Sequence, residues 1–296
     1  MRHTAPHGSA VSPVADILGF MTRSPSRLVA SVAAALLSVG ALAACAPTSD
    51  SEGSGSGVGA VTEGKLTVAT GEPAYSPWVE DDAPESGSGY EAALAYAVAD
   101  RLGYDRDDVV WVRATFDESI APGPKTFDLN LQQFSITEQR AKAVDFSSPY
   151  YETRQAVVTL PGTAAEGASS VADLRGLDIG AQSGSTSFTA AETVIDPEDG
   201  VQAYNSNDDA KAALESGQVD AIVLDVPTAT YFVEGGVVLG QLAAVDGASD
   251  QLGIVLPLGS SLTADVTKAV DDLEADGTLG DLQQEWLADY DVKDLS

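Results

Sequence analysis

FDLNLQQFSITEQRAKAVDFSSPYY, residues 127–151 of a 296-residue chain, joins a short extended run to a cluster of polar groups around one arginine. Phe127, Asp128 and Leu129 open a short extended run. Ser135 and Thr137 then place two hydroxyls on either side of Ile136, and Arg140 follows three residues later, just ahead of the apolar Val144 and Phe146. A strand that ends in hydroxyls and a guanidinium presents a planar fork of N–H donors with polar helpers, a pattern suited to holding a carboxylate. The competing reading makes Arg140 a surface ion-pair partner, and the chain offers many acids for it, 45 Asp and Glu against 15 Lys and Arg.

On both sides of this stretch the apolar spacing alternates between two periods. Residues 65–70 alternate as a strand, 90–102 have helical spacing, and 109–112 are again strand-like, which gives a βαβ order. Beyond Tyr151 the alternation restarts, with a strand at 177–181, a helix at 185–194 and a strand at 200–204. A helix at 207–216 follows, with Asn207 as its N-cap and Gly217 just past its end, and then a strand at 220–224. Helices at 262–276 and 279–287 close the chain. Residues 121–125 contain Pro122 and Pro124 and are expected to form a loop. The fold class is α/β, and about 230 residues suffice for two small lobes.

The amino terminus reads as a targeting segment. Arg23 and Arg27 precede an apolar run at 28–42 that is short for a bilayer span and ends in Leu42-Ala43-Ala44-Cys45. This resembles a bacterial lipobox, which implies a signal peptide over 1–44 and a lipid on Cys45. The alternative is a free thiol beside a short buried helix. Met21 would make an ordinary start, so residues 1–20 are read as an over-extended beginning. Residues 45–62, rich in Ser and Gly, are expected to be a flexible tether. Cleavage before Cys45 removes every histidine and methionine of the chain and leaves Cys45 as its sole cysteine. A chain so processed has no Ser-His-Asp or Cys-His catalytic set and no His/Cys cluster for zinc. No cofactor or metal is expected. The formal charge of −30 argues against nucleic acid as a partner.

Residues 127–151 resemble the first-lobe signature of the family 3 extracytoplasmic solute-binding proteins, the amino-acid receptors of ABC importers. The resemblance extends from about residue 64 to 290. It includes Gly89-Tyr90-Glu91 at the start of the first helix, Ala275-Asp276-Gly277-Thr278, and Glu285-Trp286-Leu287. It implies a two-lobed, periplasmic-binding-protein-like (type II) fold with two hinge strands, at 155–160 outgoing and 251–256 returning. On this scheme 63–156 and 252–296 form the first lobe and 157–251 the second, with ligand in the cleft between them.

The resemblance also assigns candidate contacts. Arg140 and Ser135 correspond to the carboxylate-binding arginine and its neighbouring hydroxyl. Ser185 and Thr186, in Gln182-Ser183-Gly184-Ser185-Thr186, correspond to the second-lobe turn that assists; Ser185 as a plain helix cap is the alternative. Asp225 falls on the ammonium-binding acid, and capping of the next helix is its other reading. Asp220 is read as structural. Tyr75 and Phe116 are expected to stack against the ligand, with Tyr75 as a core aromatic the alternative. Glu72 is expected to face a polar or cationic side chain, or else to be a solvated turn residue. Gln132 and Gln133 stand where the family commonly has small residues, and Gln133 is counted among the contacts.

The implied function is capture of a polar α-amino acid by a monomeric lipoprotein on the outer face of the cytoplasmic membrane, and its delivery to a permease and ATPase. The alternative is an enzyme of the same fold resembling cyclohexadienyl dehydratase, for which Glu72 is the one nominee as general acid. A sensor or adhesion module is the third class considered, and it has no need of two hinge strands together with a lipobox.

Overall fold

The computed structural model describes residues 60–287 and 292–295. The signal-peptide, lipidation and tether expectations, Cys45 included, lie almost wholly outside the described residues.

Two five-stranded mixed sheets carry the fold. In the first, β1 (Leu66–Thr70) lies parallel between β2 (Val109–Arg113) and β3 (Leu129–Asn130). Every residue of β1 is buried, as suits a central strand covered on both faces. β4 (Val144–Thr153) occupies the far edge and pairs antiparallel with β10 (Asp250–Pro257), which also reaches β3. The helix α1 (Tyr90–Arg101) turns Leu94, Ala95 and Val98 onto this sheet. The closing helices α6 (Thr263–Ala275) and α7 (Thr278–Trp286) add Val266, Val270, Leu273 and Leu279 to the same core.

The second sheet runs in the order β7, β6, β8, β5, β9. It is built from β5 (Gln155–Thr159), β6 (Ile179–Gln182), β7 (Val201–Tyr204), β8 (Ala221–Asp225) and β9 (Val237–Gln241). Its two faces carry separate apolar clusters, one around Val157, Ile179 and Val223, the other around Val158, Leu214 and Ile222. Alternate residues of β5 and β8 thus serve opposite faces, as the two-residue period of a strand requires.

The chain passes between sheets at Arg154, which alone separates β4 from β5, and passes back between β9 and β10. Beyond these crossings its end returns to the second sheet. Leu295 N donates to the Gln241 carbonyl at 2.9 Å, Asp294 pairs with Arg154 at 2.8 Å, and Leu295 is buried in the second core. Residues 292–295 therefore lie away from the first-lobe helices with which the sequence reading grouped them.

Local expectations differ from the structure at two helix starts. α4 (Asn207–Glu215) is capped by Ser206, whose hydroxyl accepts from Asp209 N at 3.1 Å, and Asn207 is its first helical residue. The extended backbone of Ser206 (φ −145°) places its side chain where a cap must stand. The helix expected at 185–194 is α3 (Thr186–Ala190), which widens into a π turn over Ala191–Ile195. Residues 121–126 form no helix, in line with their prolines; the short α2 (Phe116–Ile120) stops just before them.

Candidate functional site

A cavity of about 230 Å³ lies between the sheets, and eight of the nine expected contacts border it: Glu72, Tyr75, Phe116, Gln133, Arg140, Ser185, Thr186 and Asp225. Ser135 does not border it, although its hydroxyl sits 3.0 Å from that of Thr186.

Arg140 is buried at the foot of β4. Its Nη1 donates to the Ser135 carbonyl at 2.8 Å and its Nη2 to the Gly184 carbonyl, on the opposite lobe, at 3.0 Å. The guanidinium also lies 5.2 Å from the Phe116 ring centre, and Phe116 stacks on Phe134 behind it. Burial pushes the guanidinium down to about 10 against the opposing pull of Asp225 and Asp250, which leaves it charged at neutral pH. Two carbonyls fix the fork's plane while using only two of its five N–H groups.

Asp225 ends β8 and precedes α5 (Val226–Tyr231), yet its side chain makes no capping bond. Its Oδ1 accepts from Gln155 Nε2 at 2.8 Å instead. Burial first, and then the charge of Asp250, push this carboxyl up to about 7, with Gln155 and Arg140 opposing. The hydroxyl of Ser185 is spent on the helix start: it accepts from Phe188 N at 3.0 Å and donates to the Gln182 carbonyl at 2.6 Å. Thr186 is the more available of the pair. Its hydroxyl meets Ser135 and lies at 3.4 Å from Gln155 Nε2.

The aromatic wall is tied across the cleft. Tyr75 packs its ring edge-on to Phe232 at 4.6 Å and donates its hydroxyl to Asp208 at 3.0 Å, while Trp78 Nε1 donates to the Thr228 hydroxyl at 2.9 Å. Glu72 is exposed at the rim. Gln133 borders the cavity but its amide is committed: Gln133 N donates to Glu91 at 2.8 Å and Gln133 Nε2 bonds the other Glu91 oxygen. The residue shapes the wall from a left-handed backbone conformation (φ +50°), which is where a glycine would be most at ease. Gln132 also borders the cavity, and its Oε1 is buried without a hydrogen-bond partner among the described residues.

Sequence reasoning missed Glu91, Gln155, Asp208 and Asp250. Glu91 is buried and also bonds the Tyr150 hydroxyl. No local spacing marks Gln155, Asp208 or Asp250; each meets its partner through tertiary topology alone. The acid in Gly89-Tyr90-Glu91, buried at a helix start, was the one signal available.

Residues 66–289 match the bacterial extracellular solute-binding proteins, family 3. The chain belongs to this family. Among its relatives, the L-arginine-binding protein of Pseudomonas aeruginosa is 28% identical over 232 residues, covering 75% of this chain and 87% of the relative. The arginine-binding extracellular protein ArtP of Bacillus subtilis is 28% identical over 203 residues, covering 67% and 77%. A solved ancestral arginine-binding protein bound to glutamine is 30% identical with a TM-score of 0.64, covering 77% of this chain and 100% of its own. The family's two-lobed α/β fold is thus the fold of this chain, and the cavity lies in the family's interlobe cleft.

Proposed function

We propose that this protein is a non-enzymatic receptor that closes on a polar α-amino acid, with cationic side chains the favoured class, and hands it to an ABC permease and its ATPase. The observation that carries this reading is the placement of Arg140 and Asp225, from opposite lobes, on one small cavity. A free amino acid offers a carboxylate to the first and an ammonium to the second. Arg140 is buried and Asp225 half-buried, and desolvation disfavours the charged form of both, so each has a strong need for the opposite charge. About 230 Å³ lies below the range of drug-sized clefts and suits a single amino acid. The cavity is bordered by Glu72 at its rim, an acid that favours a cationic or amide side chain. The arginine-binding relatives lend support to the same class.

The receptor acts as a monomer tethered through Cys45 to the outer face of the cytoplasmic membrane. Closure follows from differential affinity, because only the closed arrangement brings both lobes onto one ligand. The dehydratase-like alternative is disfavoured by Asp225, which has no partner in a substrate lacking an ammonium, and by the exposure of its one nominated acid, Glu72.

A thermal-shift screen of residues 60–296 against the common amino acids tests the reading. Arginine, lysine, histidine or glutamine should raise the melting temperature, by about 2.7 kcal/mol of added stability at a hundred times the dissociation constant. Arg140→Ala should remove the shift while the free variant stays folded. Stabilisation by a diacid or a sugar alone overturns the assignment.

A further inference from the structure

Gln155 opens β5 just after the chain leaves the first sheet, and Asp250 opens β10 where it comes back. The side-chain amide of Gln155 is fully engaged. Its Oε1 accepts from Ser187 Oγ at 2.5 Å, and the two carboxylates at its other end set the direction the amide faces. Its Nε2 donates to Asp225 Oδ1 and to Asp250 Oδ2, each at 2.8 Å, with the longer contact to Thr186 beside them. One NH2 group therefore holds two carboxylates within two hydrogen-bond lengths of each other. Asp225 borders the small cavity, and Asp250 borders a second cavity on the other side of Arg140.

Carboxylates this close each raise the other's demand for a proton or a cation. The positive group acting on both is Arg140, which gives its Nη1 and Nη2 to main-chain carbonyls and not to either acid. Behind Asp225 stand Glu91 and the Tyr150 phenol, which add no positive charge. Beside Asp250 the exposed Glu152 is already bonded by Gln251 Nε2 at 3.0 Å.

We propose that Asp250 is a positioning residue of the ammonium subsite: with Gln155 it orients and electrically reinforces Asp225, so that an ammonium entering the small cavity meets two coupled carboxylates. The inference rests on the amino-acid reading above. A bound ammonium supplies the charge the pair lacks, so both acids are ionised in the complex. The proton that the free pair retains near neutrality leaves to solvent when the ligand enters. Because Gln155 and Asp250 begin the strands at the two crossings, the ligand's charge is tied to the hinge as well as to the cavity.

Titration calorimetry with arginine and with glutamine, between pH 5.5 and 8 in two buffers of different ionisation enthalpy, tests this. For the natural protein, affinity should rise with pH by up to about tenfold per unit near neutrality, with release of up to one proton. Asp250→Asn should still bind, about tenfold more weakly at pH 8, with the pH slope displaced to lower pH and proton release at neutral pH reduced, because burial alone still raises Asp225. Asp250→Glu, which keeps the charge, should restore the slope. An Asp250→Asn variant with natural affinity, slope and proton count overturns the inference and leaves the amino-acid reading intact. Failure of the natural protein to bind any amino acid overturns both.

Discussion

Two acids, the buried Glu91 and the half-buried Asp225, are both pushed up to about 7 by desolvation, yet their surroundings differ. Glu91 sits at the start of α1 with both oxygens engaged, receiving the Tyr150 hydroxyl and Gln133 N on one and Gln133 Nε2 on the other. Asp225 has one oxygen on Gln155 and another acid, Asp250, sharing that amide. The first acid is saturated by the protein and organises a wall. The second is left with an electrostatic demand that the protein does not meet, and it faces the cavity. A perturbed carboxyl therefore marks a binding site only when its hydrogen-bond capacity remains open.

The sharpest way to break this contrast is to compare binding. Asp225→Ala should weaken amino-acid binding by about 2–5 kcal/mol, roughly thirtyfold or more, by taking away the ammonium's partner. Glu91→Gln, which preserves shape and lets Gln133 reverse its amide, should stay within about threefold. Calorimetry on both variants decides, and equal losses would dissolve the distinction.

Stability should invert the order. Glu91→Ala orphans three donors in a buried site and is expected to cost about 3 kcal/mol in urea unfolding. Asp225→Asn removes a desolvated charge the free protein does not neutralise, and should leave the ligand-free protein as stable as before or more so at pH 7.5.

The smallest effect separates the acids by pH. Both have folded values near 7, above the usual carboxylate range, so the folded state binds more protons than the unfolded one between about pH 4.5 and 7. Their contribution is full below the unfolded value and is lost as pH rises through 7, about 1.5 kcal/mol for each acid between pH 5.5 and 7. Melting temperatures should fall over this interval in the free protein. Glu91→Gln should remove one share, and saturating arginine the other, since a bound ammonium lowers Asp225 and leaves Glu91 alone. A ligand-bound protein with the same pH dependence as the free one would contradict that assignment.

The strands around the first sheet were legible because segments such as β1, Leu-Thr-Val-Ala-Thr, alternate with the two-residue period of a strand and are bounded by turns. Arg140 and Asp225 border the cavity where the family resemblance placed them, one after the first-lobe motif and the other at the end of β8. Gln155 and Asp250 were not legible, since 95 residues separate them and only the two crossings bring them together. The Glu91–Gln133 pair spans 42 residues and is equally silent in local spacing. Ser206 and Asn207 are both good caps in sequence; the backbone angle that chooses Ser206 belongs to the turn after β7. The role expected of Gln133 shifted for a related reason, because its amide finds an internal carboxylate before it can reach a ligand.

Trp78 is fully buried, its N–H bonded to Thr228 across the cleft and its ring set edge-on to Tyr90 and Tyr151. Parting the lobes breaks that bond and admits water to the indole. Trp111, bonded to Tyr96, and Trp286, on α7, both pack against the first-lobe core and keep their surroundings through such a motion. The protein thus carries its own fluorophore at the seam, and the colour of its tryptophan emission is set by whether the two halves touch.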